Sequence, residues 1–255
     1  MNIEYITAFS DNYIWLIIEN KKVIVVDPGE EQNLLSYLNQ HQYELIAVLI
    51  THHHHDHTGG LKKIIQTYPH VPIYGNQHSK ITDISHPLKD KDTFSIAQCN
   101  HIIDVITVPG HTLDHLCFVI NNALFCGDTV FSGGCGRIFE GSPEQMLQSV
   151  NRIKQYPDDY LIYCAHEYTL NNLKFALTLE PNNIELQQHF LLCQEKKKKH
   201  EPTIPTTIAL EKKINPFFRL HEKEIQQNLI KLTEYSVLNT DLEIFTAIRN
   251  FKNIW

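Results

Sequence analysis

The sequence predicts an α/β domain, with sheets covered by helices, followed by a small all-helical domain at the C-terminal end. Three observations carry this prediction. The first two-thirds alternates short β-branched apolar runs with turn signals and amphipathic stretches, the pattern of strands packed under helices. Beyond about His166 the texture changes to longer helical segments punctuated by Pro181, Pro202, Pro205 and Pro216. The 255 residues are 42% hydrophobic and 20% charged, an ordinary globular balance in a chain long enough to bury a core.

In chain order, strands are expected at Ile3 to Thr7, Tyr13 to Ile18, Val23 to Val26, Ile46 to Thr51, Ile102 to Val108, Leu116 to Ile120, Ala123 to Cys126 and Leu161 to Cys164. Helices fit at Glu31 to Asn39, Leu61 to Thr67 and Pro143 to Lys154. Ser142 is the expected N-cap of the last of these, with Pro143 at its first position. The C-terminal helices are expected at Leu170 to Leu179, Ile184 to Lys199, Lys223 to Thr233 and Leu242 to Asn250. This divides the chain into a domain of residues 1–166 and a helical domain of residues 167–255.

Composition excludes some classes of function. A formal net charge of −7 opposes nucleic-acid binding, which rests on neutralising phosphates with Lys and Arg. The run Lys196 to Lys199 reads as a solvated helix end. The segment MNIEYITAFSDNYIWLIIENKK has neither a basic leader nor an apolar stretch long enough to span a bilayer, so a cytoplasmic address and no membrane partner are expected. Cys99, Cys117, Cys126, Cys135, Cys164 and Cys193 are widely spaced, form no CxxC pair and read as reduced, mostly buried thiols.

Histidine is the outlier, with 16 residues, and the clustering matters more than the number because neutral imidazole is the commonest metal ligand. Thr51-His52-His53-His54-His55-Asp56-His57 follows an apolar strand and precedes Gly59-Gly60 and a helix. In an extended segment His52, His54 and Asp56 project to one side, and His57 joins them once the chain turns into the helix. Three further strand exits carry a ligand-type residue: His111 after DVITV, Asp128 after ALFC and His166 after LIYC. A buried aspartate without partners is costly, and convergence on a metal explains all of these residues together.

The order HxHxDH, then a single His, Asp and His at strand ends, resembles the metallo-β-lactamase superfamily. Within it, THHHHDHTGG, PGHTLDH, LFCGDTVFSGGCGRIFEG and CAHEYTLNNLKFA resemble glyoxalase II, and INPFFR and AIRNFK extend the likeness into the helical region. The resemblance implies an αββα sandwich of the metallo-β-lactamase type. It implies two divalent metal ions, one held by His52, His54 and His111 and the other by Asp56, His57 and His166, with Asp128 bridging them. His53 and His55 fall at the motif's variable positions and are not expected to ligate. Donors of nitrogen and carboxylate oxygen without thiolate suit Zn, Fe or Mn, with zinc the default. Asp27, in Asp27-Pro28-Gly29, resembles an aspartate that supports the ligands, although a turn former would look the same.

The implied activity is hydrolysis of S-(2-hydroxyacyl)glutathione thioesters such as S-lactoylglutathione, the second step of methylglyoxal detoxification. A metal-bridging hydroxide would attack, with Asp56 and Asp128 as the catalytic carboxylates. Arg137, Tyr168, Arg249 and Lys252 match positions that contact glutathione in the family. Phe139 departs from members with a tyrosine there, so one hydroxyl contact is absent. The expected partner is the small-molecule thioester alone, bound by a monomer. Other readings are a lactonase or another hydrolase of the superfamily, a persulfide dioxygenase with a single iron, and a nuclease, which would need a basic surface.

Overall fold

The computed structural model describes residues 1–255 as two sheets packed face to face, with helices on the outer sides. The first sheet contains β1 (Asn2–Ala8), β2 (Asn12–Glu19), β3 (Lys22–Val26), β4 (Glu44–Leu49), β5 (Ile73–Asn76) and β6 (His86–Leu88), adjacent in that order. β1 to β3 form an antiparallel meander, and β3 to β6 run parallel. The parallel crossovers carry α1 (Gln32–His41), the single turn α2 (His55–Thr58) and α3 (Leu61–Thr67).

The second sheet begins with β7 (Thr93–Ser95), β8 (Ile102–Thr107), β9 (Leu116–Ile120) and β10 (Ala123–Gly127). The hairpin β11 (Val130–Phe131) and β12 (Gly134–Cys135) then leaves the sheet. α4 (Pro143–Lys154) crosses over to β13 (Leu161–Cys164), which pairs parallel to β10. The C-terminal region follows with α5 (Thr169–Leu179), α6 (Ile184–Lys198), β14 (Thr206–Thr207), α7 (Ile208–Ile214), α8 (Lys223–Leu232) and α9 (Asp241–Ile254). It is helical except for β14, which joins the edge of the second sheet beside β13.

The apolar parity of β2 explains the layering. Tyr13, Trp15 and Ile17 point into the core between the sheets, while Ile14, Leu16 and Ile18 point into a second core beneath α1 and α3. β3 and β4 repeat this, with Ile24, Val26, Ala47 and Leu49 on one face and Val23, Val25 and Val48 on the other. Strands buried on both faces read as continuous apolar runs, which is why they were legible. Beyond the second sheet, α4 packs Met146, Leu147, Val150 and Ile153 into the main core.

Ser142 caps α4 as expected, and the reciprocal bond from the Ser142 backbone to the Gln145 side chain completes a capping box. Thr240 and Glu243 form a second box that starts α9 at Asp241 and not Leu242. β4 ends at Leu49, two residues earlier than expected. The short strands β5, β6, β7, β11, β12 and β14 were not anticipated, because two to four residues are too few to show periodicity. All six cysteines are free, and only Cys99 is not fully buried. No helix is long and apolar enough to cross a membrane.

Candidate active site

The C-terminal ends of β3, β4, β8, β10 and β13 deliver Asp27, the histidine run, His111, Asp128 and His166 to one place, the usual position for a site in an α/β sheet. After β4 the chain stays extended through His54 (φ −60°, ψ 146°) and then turns into α2 at His55. Asp56 therefore reaches the site from a helical turn, correcting the expectation of an extended segment through Asp56. Gly29 makes this turn possible, since a Cβ there would lie 1.8 Å from the Asp56 carbonyl oxygen.

Two clusters result. In the first, His54 Nδ1 lies 3.1 Å from His52 Nε2 and 3.0 Å from His111 Nε2. In the second, Asp56 Oδ2 lies 3.4 Å from both His57 Nε2 and His166 Nε2. Asp128 stands between them, with Oδ2 3.3 Å from His111 Nε2 and Oδ1 3.3 Å from His166 Nε2 and 3.6 Å from His57 Nε2. A tetrahedral ion with ligands at about 2.0–2.1 Å spaces them roughly 3.3 Å apart, so both clusters have the dimensions of a metal site. His57 Nε2 and Asp128 Oδ1 are also buried without any hydrogen-bond partner, a costly arrangement that a cation would relieve.

The rings are oriented from behind. His57 donates Nδ1–H to Asp27 Oδ2 (2.9 Å), His166 to Asp11 Oδ1 (2.8 Å) and His111 to the Arg137 carbonyl (2.7 Å), leaving each Nε2 facing the cavity. Asp27 combines both of its expected roles. It turns the chain in the left-handed region (φ 52°), and its carboxylate also accepts the Thr51 backbone N–H and hydroxyl. Asn12 donates to Asp56 Oδ2 at 3.0 Å.

The clusters differ electrostatically. Burial and neighbouring imidazoles hold His52 well below its usual pKa, and burial also lowers His54 and His111. Burial opposes protonation of His57 and His166 too. For His57 the carboxylates of Asp128 and Asp27 overcome it, and for His166 Asp128 and Asp56 do so, raising His166 to about 10. Burial likewise opposes ionisation of Asp56, but its bonds to His166 and His57 hold its carboxyl below the usual range. The carboxylate-rich side thus demands positive charge.

The two remaining histidines of the run stay outside these two clusters. His53 bonds Asp114 through Nδ1 at 2.9 Å, and His55 is exposed at the cavity rim. Sequence reasoning missed Asp11, Asn12 and His115. Asp11 and Asn12 are polar residues between two strands, with no spacing to mark them. His115 is buried, stacked on His52 (4.5 Å between centroids), and accepts the Asp128 backbone N–H at 3.1 Å. Burial pushes its pKa down to about 3.

A cavity of about 530 Å³ opens over the clusters, lined by His54, Asp56, His111, Asp128, Phe131, Arg137, Phe139, His166 and Tyr168. It adjoins a second cavity of about 330 Å³ that shares Phe131, Arg137 and Tyr168 and adds Cys135, Asn171, Asn172, Arg249, Lys252 and Trp255. Tyr168 stacks on His166 (4.6 Å, 6°), and Phe139 stands edge-on to His54 and His111. Arg137 is exposed, while Arg249 is 5% exposed and donates Nη1–H to the Cys135 carbonyl at 2.8 Å, leaving its buried Nε unpartnered. Lys252 lies over the Phe175 ring at 4.6 Å and beside Trp255. Burial lowers its pKa to about 8.

Residues 8–82 and 80–166 match the family model of the metallo-β-lactamase superfamily, and residues 167–255 match the model described as hydroxyacylglutathione hydrolase C-terminus. A relative from Nitrosomonas eutropha named hydroxyacylglutathione hydrolase is 42% identical, covering 97% of this chain and 96% of its own. One of the same name from Shewanella baltica is 44% identical, covering 99% of each. Among solved structures, ETHE1 from Myxococcus xanthus superposes with a TM-score of 0.66 at 20% identity, covering 100% of this chain and 99% of its own, a likeness of fold alone.

Proposed function

Because the chain belongs to the hydroxyacylglutathione hydrolase family of the metallo-β-lactamase superfamily, we propose that it hydrolyses S-(2-hydroxyacyl)glutathione thioesters, S-lactoylglutathione among them. The observation that carries this reading to the level of residues is the continuity of the two cavities. One is lined by the His/Asp clusters and the other by cations, and they share Phe131, Arg137 and Tyr168. A thioester laid across the shared wall would have its acyl carbon over the clusters and its two glutathione carboxylates toward Arg137, Arg249 and Lys252.

His52, His54 and His111 would hold one divalent ion and Asp56, His57 and His166 the other, with Asp128 divided between them. Spacing and orphaned atoms support this assignment, and zinc is the default metal. When bound, such ions supply a water acidic enough to act as hydroxide near neutral pH, together with Lewis-acid stabilisation of a carbonyl oxygen. The chain's own residues do the rest. Asp27, Asp11 and the Arg137 carbonyl keep each Nε2 aimed inward, and Tyr168 and Phe139 wall the acyl side. No general acid is needed, because a thiol with a pKa of about 8.5 leaves as thiolate.

In this reading residues 1–166 form the catalytic domain and residues 167–255 contribute to the glutathione pocket. Both clusters and the cation pocket are complete within one chain, which supports a monomer. Six free cysteines fit a reducing, cytoplasmic compartment. The test is loss of thioester absorbance with S-lactoylglutathione, compared with the same acyl group on a short uncharged thiol, alongside metal analysis. Rapid turnover of the glutathione ester with two bound metals is expected. Two bound metals with no turnover of either ester would overturn the assignment.

A further inference from the structure

The hairpin of β11 and β12 carries Phe131 into both cavities and leads through Cys135 to Arg137. With two-residue strands it has almost no ladder of its own. Its support comes from elsewhere. The Glu211 carboxylate, fully buried in α7, accepts four hydrogen bonds: from Ser132 Oγ (2.9 Å) and the Gly133 N–H (2.8 Å) at the hairpin tip, and from Thr206 Oγ1 (2.7 Å) and Asn215 Nδ2 (2.9 Å). Asn215 Nδ2 also reaches the carbonyls of Phe131 (3.2 Å) and Gly134 (3.0 Å). Asn172 Nδ2 reaches the Ser132 carbonyl at 3.1 Å.

No cation faces this carboxylate, and burial raises its pKa. A buried carboxylate without a counter-ion is an expensive way to hold a helix against a hairpin, and an apolar side chain would do so at lower cost. A fully satisfied buried polar network does something an apolar contact does not, which is to fix one backbone conformation. Here the conformation fixed is that of the substrate-facing hairpin.

We propose that Glu211, with Asn215, is a positioning residue for thioester recognition, setting the hairpin that aims Phe131 and Arg137 at the thiol half of the substrate. The proposal rests on the glutathione thioester reading above. It distinguishes Glu211 from the metal-site residues, none of which it touches. It also makes the C-terminal region a template for the pocket as well as one of its walls.

The chemistry of the four donors sets the test. Two are hydroxyls, from Ser132 and Thr206 on Oε1, and a hydroxyl can accept as well as donate. Glu211→Gln with its NH₂ toward these hydroxyls keeps every bond, so its KM for the glutathione ester stays within about threefold of the parent. Glu211→Ala strands the Gly133 N–H. It is expected to raise KM for the glutathione ester about tenfold, leaving kcat, metal content and the kinetics of the short-thiol ester near their parent values. Amide exchange at the hairpin tip, residues 131–134, rises in the same variant, while the two sheets and the segment whose Arg137 carbonyl accepts from His111 keep their protection.

If Glu211→Ala does not fold, Asn215→Ala gives the same readouts, because it releases the hairpin carbonyls directly. Equal losses on both esters, or parent-like KM and hairpin exchange in the Ala variants, would overturn the proposal. A parent enzyme that does not favour the glutathione ester would refute the substrate reading instead, and hairpin exchange would then still decide whether Glu211 sets that segment.

Discussion

At the metal end of the cavity, His57, His111 and His166 each spend a buried Nδ1–H on an acceptor behind them, and Asp128 is 6% exposed. At the proposed thiol end, Arg137 is exposed and Lys252 rests on aromatic faces. The first end is fixed by short, directional bonds among buried groups. The second gathers three cations along a cleft, of which Arg137 is exposed and Arg249 is buried. The difference follows from what each end must hold. An ion tolerates ligand displacements of only about tenths of an ångström, whereas a flexible peptide thiol can be met by an exposed side chain that follows it.

The sharpest break of this contrast is Asp56→Ala. Removing one proposed ligand from the rigid end should cost orders of magnitude in turnover on both esters and release a metal, measured by initial rates and elemental analysis. Near-normal activity with full metal content would sink the ligand assignment. Asp27→Ala leaves every proposed ligand in place but frees His57 Nδ1 and the Thr51 N–H. A loss of about 10- to 100-fold in metal affinity is expected in a chelator competition.

At the other end the expected effects are smaller and confined to the charged thiol. Lys252, lowered to about 8 by burial, is a cation below that pH and neutral above it. The kcat/KM for the glutathione ester should therefore fall as pH rises through about 8, a fall absent with the short-thiol ester and abolished in Lys252→Ala. Phe139→Tyr is the mildest change. The added hydroxyl at the cavity wall should lower KM for the glutathione ester a few-fold through one net hydrogen bond and leave metal content unchanged.

The same contrast governed what could be read from the sequence. Ligand-type residues at strand exits form a local pattern, so His52, His54, His111, Asp128 and His166 were legible one segment at a time. The supports behind them were not. Asp11 meets His166 across 155 positions, and nothing in the run Ser10-Asp11-Asn12 hints at a ring waiting there. Arg249 was expected as a glutathione contact on resemblance alone. Its bond to the Cys135 carbonyl gives it a second task, holding the hairpin, that no one-dimensional pattern encodes. The layered fold was legible because its central strands are buried on both faces. The two-residue strands were not, because pairing and not composition creates them.

The order of the clusters along the chain has a consequence during synthesis. The three-imidazole cluster acquires its last residue at His111, but the carboxylate-containing cluster is incomplete until His166, 55 residues later. At about 5–20 residues per second, a ribosome spends roughly 3 to 11 s between the two. A nascent chain therefore carries the three imidazoles of one cluster, though not yet Asp128, before it can assemble the other, and Asp11, translated first, waits longest for its partner.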